Sequence, residues 1–185
     1  GHQLYEYANG RDDSPVRGER EEAKGYSAET TTEEDIVTYE QAFSLLLAQC
    51  DVVAARMRKD GKKCSCVSVT YRMLDFRTRS HQKKLGNPTD VTEEIFVQVK
   101  NLRYECWQCQ PLRLIGVALT DLTSDDFRQM SLFENTENHE KQKKVDGVVD
   151  DIRKRFGNGM IVRGSTMKTA DKVARKAKAQ MELRD

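Results

Sequence analysis

The sequence predicts an α+β fold: a four-stranded antiparallel sheet with two helices on one face, followed by a C-terminal helical extension. Three observations carry that prediction. Between Cys64 and Leu85 two strand-like runs meet at Leu74-Asp75, the pattern of a hairpin. On each side of the hairpin lies a segment whose apolar residues recur at three- and four-residue steps, the period of an amphipathic helix. A further strand-like run on each flank completes the order strand, helix, strand, strand, helix, strand. That order commonly closes into one sheet with its helices together and its other face open.

Taken in order, residues 3–16 combine a short helical start with the turn signals Asn9-Gly10 and Ser14-Pro15. Residues 17–25 are charged and aperiodic, and read as a linker. Tyr26 to Thr32 ends in consecutive threonines and fits the first strand. Thr38 and Gln41 have the spacing of a capping box, in which a hydroxyl and an amide each satisfy an orphan backbone N–H. Ala42, Leu45, Leu46, Cys50, Val53 and Met57 then form one apolar stripe, and Gly61 stands where a left-handed helix cap is wanted.

In the first hairpin strand Val67, Val69 and Tyr71 alternate with Ser68, Thr70 and Arg72, so one face is buried. In the second, Arg77, Arg79, His81 and Lys83 share one face while Phe76, Thr78, Ser80 and Gln82 share the other. The second helix starts after Gly86-Asn87-Pro88, with Asp90 expected as its N-cap and Glu93 and Glu94 favoured by the helix dipole. Its stripe is Ile95, Val99, Leu102 and Cys106, and Trp107 reads as a core anchor. Pro111 ends it. The last strand, Leu112 to Leu122, turns Ile115, Val117 and Leu119 inward and Leu114, Gly116 and Ala118 outward, where small side chains permit close backbone approach.

Beyond the sheet, Ser124 to Lys144 is acidic and polar and reads as flexible. Within it Met130, Leu132 and Phe133 form an apolar cluster with no core to join, the look of a linear docking peptide. Val145, Val148, Val149, Ile152 and Phe156 mark a further amphipathic helix closed at Gly157, and Met160 to Val162 reads as a short extended segment. Met167 to Asp185 carries a thin stripe at Ala170, Val173, Ala174, Ala177 and Met181, enough for a helix but not for stable burial.

With 185 residues, 33% of them charged, and a net charge of +1, the chain is one domain with polar extensions, or one domain and part of another. Opposite charges sit on separate segments: the hairpin and C-terminal stretch are basic, while residues 19–35 and 121–140 are acid-rich. No apolar run is long enough to span a bilayer, so a soluble cytoplasmic protein is expected. Five cysteines without a secretory leader read as reduced thiols. Cys64, Cys66, Cys106 and Cys109 have spacings that a tetrahedral zinc ion would accept, which leaves a zinc-stabilised interaction adaptor as one alternative.

The charged hairpin strand points to nucleic acid. Strand side chains two residues apart lie roughly 6.5–7 Å apart, close to the phosphate repeat of a nucleic-acid backbone. On an uncovered sheet face, that ladder would track a phosphate strand, although Lys and Arg on an edge strand also discourage aggregation. Aromatic residues for base stacking are missing from the expected face, so backbone contact is favoured over base reading. An RNA-binding module of the same element order is the other alternative, with its first strand at the sheet centre. The acidic pairs Glu33-Glu34-Asp35, Asp125-Asp126 and Asp150-Asp151 read as solvated rather than as a two-ion catalytic site. No catalytic residue, metal, cofactor or small-molecule ligand is expected of this chain.

The segments YANGRDDSPV, KGYSAETT, FRTRSHQKKL, PTDVTEEI, PLRLIGVALTDL, RQMSLF and DDIRKRFGNGMIVRGS together resemble, in order and spacing, the C-terminal part of Y-family translesion DNA polymerases of the bacterial polymerase IV kind. The resemblance implies the end of a thumb domain at 1–16, a linker at 17–25 and a little-finger DNA-binding domain at 26–123. It further implies a flexible segment at 124–144 with a sliding-clamp-binding peptide at 129–133, and a helical extension at 145–185. The implied partners are primer-template DNA, held by Arg77, Arg79, Ser80, His81, Gln82 and Lys83 with Arg72, Arg113 and Lys24, and the clamp, held by Gln129, Met130, Ser131, Leu132 and Phe133. Met130 stands where the peptide usually has Leu, and Leu114 where some relatives have Arg. Polymerisation, with its magnesium ions, would belong to a palm domain of the parent enzyme.

Overall fold

The structure, a computed structural model, describes residues 1–14, 22–107, 110–124, 136–167, 169 and 173. After a short helix α1 (His2–Ala8) come β1 (Tyr26–Ile36), α2 (Tyr39–Lys59), β2 (Lys63–Met73), β3 (Thr78–Thr89), α3 (Thr92–Cys106), β4 (Leu112–Thr123) and α4 (Thr136–Phe156). The four strands form one sheet in the order β1-β4-β2-β3, with every neighbouring pair antiparallel. β1 thus lies at an edge. The RNA-recognition arrangement, which needs it in the centre, is excluded.

Three rows of side chains cross the sheet on the helix side. Tyr26, Leu119 and Val67 are in register, as are Ala28, Val117 and Val69, and then Thr30, Ile115 and Tyr71. Apart from Thr30, all of these belong to the hydrophobic core, which α2 and α3 complete with Leu46, Val53, Met57, Ile95 and Val99. Each such side chain, fully buried, contributes on the order of 1.5–3 kcal/mol of transfer free energy. Trp107 anchors the end of the core as expected: it stacks on Tyr71 at 6.5 Å between ring centroids, meets Tyr39 edge-on at 5.4 Å, and donates from Nε1 to the Gln110 carbonyl at 2.7 Å. Gln49 of α2 is also buried, donating to the Thr30 hydroxyl and to the Ile115 carbonyl, which ties that helix to β1 and β4.

Local signals in the sequence explain the element ends. The Thr38 hydroxyl accepts from the Gln41 N–H at 3.3 Å and the Gln41 side chain accepts from the Thr38 N–H at 3.1 Å, closing the capping box. Gly61 takes a φ of 65° and lets the Lys62 N–H reach back to the Met57 carbonyl. Between β2 and β3, the Phe76 N–H donates to Met73 and the Met73 N–H to Arg77, so the loop is Leu74 to Phe76 and Phe76 itself adopts a φ of 63°. Further along, Cys64 opposes Thr89 but Cys66 opposes Lys84, so Leu85 to Pro88 bulge against the single residue Ser65.

Several expectations are corrected. β1 runs on to Ile36, beyond Thr32. Asp90 does not cap α3: the helix's Thr92 N–H is taken instead by Asp146 of α4 at 2.8 Å, and the Thr89 hydroxyl accepts from the Val91 N–H. The supposedly flexible stretch to Lys144 is helical from Thr136, because α4 is docked on the helix layer from its first turn, where His139 Nδ1 meets the Glu94 carboxylate at 2.6 Å.

The docking face of α4 is also not the expected one. Val145, Val148 and Phe156 are exposed, whereas His139, Lys143, Asp146, Asp150 and Arg153, alternately four and three residues apart, form the seam against the domain. Arg58 of α2 reaches Asp150 at 2.7 Å, Asp146 at 3.3 Å, the Asp90 carbonyl and the Thr92 hydroxyl. Asp150 is therefore an internal ion-pair partner rather than a solvated carboxylate. Arg163, in the segment after α4, grips Asp51 of α2 with Nε at 3.0 and 3.2 Å from its two oxygens. Within Met160 to Val162 the Ile161 carbonyl accepts from Arg153. Ser44 and Thr169 share a hydrogen bond at 2.7 Å, and Val173, expected to stay outside, is 2% exposed within the core.

Candidate nucleic-acid interface

The second hairpin strand is an edge strand, exposed on both faces from Thr78 to Lys84. Its facing follows from register, since residues directly opposite in an antiparallel pair project to the same side. Arg79 opposes Tyr71, His81 opposes Val69 and Lys83 opposes Val67. The cationic row therefore continues the three core rows on the helix side of the sheet. That corrects the expectation of a ladder on the open face.

These side chains escape burial because β3 is the last strand and stays exposed from Thr78 to Lys84. Among the described residues none of Arg79, His81 and Lys83 enters an ion pair. Arg77 is not part of the row. It closes the base of the hairpin loop, ahead of β3, where its Nε is 3.1 Å from Asp75.

The open face holds the other candidates. Thr78 lies opposite Arg72, Ser80 opposite Thr70 and Gln82 opposite Ser68. Arg72 Nε donates to the Thr78 hydroxyl at 3.0 Å, and Ser68 and Ser80 share a hydrogen bond at 3.1 Å. β4 adds Leu114, Gly116 and Ala118, and β1 adds Ser27, Glu29 and Thr31, so the centre of this face is small and hydroxyl-rich. Gly116 is needed there, since a Cβ would stand 2.6 Å from Glu29 Cγ and 3.3 Å from the Ala28 carbonyl oxygen.

Lys84, which the sequence reading passed over, stands opposite Cys66 on this same face, 3.5 Å from Asp121. Carrying the alternation of Thr78, Ser80 and Gln82 one step further would have found it. Arg113 is exposed beside the hairpin loop, its guanidinium 5.6 Å from the Phe76 ring centroid. Lys24 is exposed ahead of β1, at the far edge from β3, and does not join the group.

What the arrangement can do is hold anions. An edge strand with cations on one side and hydroxyls and an amide on the other can follow a chain of phosphates from two directions. The cysteines offer different chemistry: Cys64 is buried, donates to the Thr89 carbonyl, and has its pKa pushed up to about 12 by burial, while burial also raises Cys50. Among the described residues there is no group of three or more His, Cys, Asp or Glu side chains able to hold a metal ion. The Cys106 side chain, Cys109 and the peptide Gln129, Met130, Ser131, Leu132, Phe133 lie outside the described residues. Among those described, no helix is long and apolar enough to cross a membrane.

Comparison with known proteins adds to this geometry. The model of the impB/mucB/samB family C-terminal domain matches residues 23–132. The chain is 35% identical over 172 residues to a DNA polymerase IV of Clostridium acetobutylicum, covering 93% of this chain and 43% of that protein. It is 31% identical over 182 residues to a DNA polymerase IV 2 of Bacillus subtilis, covering 96% and 43%. The chain thus spans about two-fifths of the length of these relatives. A solved Y-family DNA polymerase chimera has a similar fold over 67% of this chain and 35% of its own, with a TM-score of 0.51 and 17% identity.

Proposed function

The chain belongs to the impB/mucB/samB family, through that family's C-terminal domain, and from that premise we propose that it is the little finger of a damage-bypass DNA polymerase, gripping primer-template backbone with β3. The observation that carries the reading is the row Arg79, His81, Lys83, spaced two residues apart on an exposed edge strand and forming no ion pair among the described residues. Ser80 and Gln82 contact the same strand of phosphates from the other face. Polymerisation itself belongs to residues outside this chain.

Contacts of this kind position a duplex without reading its sequence, and each neutralised phosphate contributes close to one unit of salt slope. Changing Arg79 and Lys83 together to Ala should weaken binding of primer-template DNA equally for unrelated sequences. It should also flatten the plot of log affinity against log salt by about 2. An unchanged slope in an anisotropy titration would falsify the reading.

The peptide Gln129 to Phe133 is proposed as the anchor to a bacterial sliding clamp, with Leu132 and Phe133 filling an apolar pocket and Gln129 and Ser131 fixing the backbone. The support is the resemblance of RQMSLF and the family membership of the chain around it. Replacing Leu132 and Phe133 by Ala should abolish capture by an immobilised clamp, and retained capture would remove the assignment.

A further inference from the structure

The hairpin loop carries two large apolar side chains into solvent: Leu74 is 46% and Phe76 67% exposed. Phe76 is also the residue that takes a positive φ of 63°, a conformation that glycine or asparagine adopts at less cost than an aromatic residue. An exposed aromatic kept in an unfavourable backbone state gains nothing from the core. Its surroundings point elsewhere. The Arg113 guanidinium stands 5.6 Å over one side of the ring, and Arg72 near the end of β2 and Arg77 just before β3 flank the loop. Among the described residues Asp75 pairs with Arg77.

We infer that Phe76 is a stacking platform for an unpaired nucleobase, with Arg113 backing the ring and the flanking arginines meeting the phosphates on each side of that base. The inference rests on the DNA-binding reading of β3 and extends it from duplex backbone to single strand. Three residues of chain separate Phe76 from Arg79, a reach of at most roughly 10 Å, so the ring sits within one or two nucleotides of the last gripped phosphate. Every base presents a π face, so such stacking discriminates single strand from duplex and not one base from another. Leu74 beside it provides an apolar wall that keeps water from the stacked base.

The test compares two DNA probes, a blunt duplex and the same duplex with a single-stranded overhang, using the whole chain. Phe76→Gly removes the ring and suits the backbone, so its thermal midpoint should equal or exceed the parent's. It should bind the overhang DNA about ten-fold more weakly and the blunt duplex unchanged, with the salt slope preserved on both. Phe76→Trp should restore overhang affinity and show emission quenching when overhang DNA is added, beyond the background from buried Trp107. Equal affinity of Phe76→Gly for the overhang probe, or the same loss on both probes, overturns the stacking role. If the Arg79 and Lys83 variant binds both probes as tightly as the parent, the β3 reading itself fails, and this inference falls with it.

Discussion

Two sets of basic side chains in this chain meet opposite fates. On the helix layer Arg58, Arg153 and Arg163 are drawn inside: Arg58 is 12% exposed and faces Asp146, itself 8% exposed, and Arg163 closes on Asp51. On the outer strand Arg79, His81 and Lys83 point at solvent and form no ion pair among the described residues. Residue type does not separate the two groups; placement does. The cations of the inner set are neutralised by the fold and hold α4 and the segment after it against α2 and α3. Those of the outer set leave their field available to a polyanion.

Breaking an inner pair should give the largest effect. Arg58→Ala leaves Asp146 and Asp150 facing each other's charge in a poorly solvated seam, and removing one partner of a buried pair costs about 3–5 kcal/mol. A drop of that size in denaturant unfolding is expected. Arg58→Met, which refills the volume but not the charge, should recover little of it. A loss under about 1 kcal/mol would place the inner set with ordinary surface pairs and dissolve the contrast.

A smaller effect concerns the cost that pairing does not remove. Burial is the largest influence on Asp51 and raises its pKa above the usual 3.8, with Arg163 and Arg153 pulling the other way. A carboxyl with a raised folded pKa lends stability that is complete below its unfolded value and lost as pH rises through the folded value. Asp51→Asn removes that leg. The stability of the parent relative to the variant should therefore shrink as pH rises above the usual carboxylate value of 3.8, read from thermal midpoints. A gap that widens would show the two arginines outweighing burial.

The smallest effect belongs to the outer strand. Arg79 and Lys83 changed to Ala should leave the thermal midpoint within about a degree of the parent's, since no internal partner is lost. A substantial shift would mean that the strand's charges serve the fold after all.

The sequence made the fold legible wherever one face is buried. Val67, Val69 and Tyr71, or Ile115, Val117 and Leu119, alternate against polar neighbours, and Thr38 with Gln41 announces its own cap, so strands, helices and the sheet's two-helix cover were all readable. The facing of β3 was not. A strand exposed on both sides has no apolar alternation to fix its parity, and only its register with β2, set by the Leu74 to Phe76 loop, places the cations beside the core rows. α4 misled for the converse reason: Val145, Val148 and Phe156 announce an apolar stripe, but Asp146 and Asp150 are where the complementary Arg58 lies, far away in sequence. Long-range charge pairing leaves no periodic trace that a local reading can weigh.

The bulge from Leu85 to Pro88 bears on this same strand. Without hydrophobic alternation, β3 could slide by two residues along β2 and keep the same cations on the same side, merely misaligned with whatever they grip. Four residues crowded opposite Ser65, ending in a proline that offers no N–H to a shifted ladder, act as a detent: any slip has to drag the distortion through regular pairing. The spacing presented to a ligand is thereby held by an irregularity at the strand's far end.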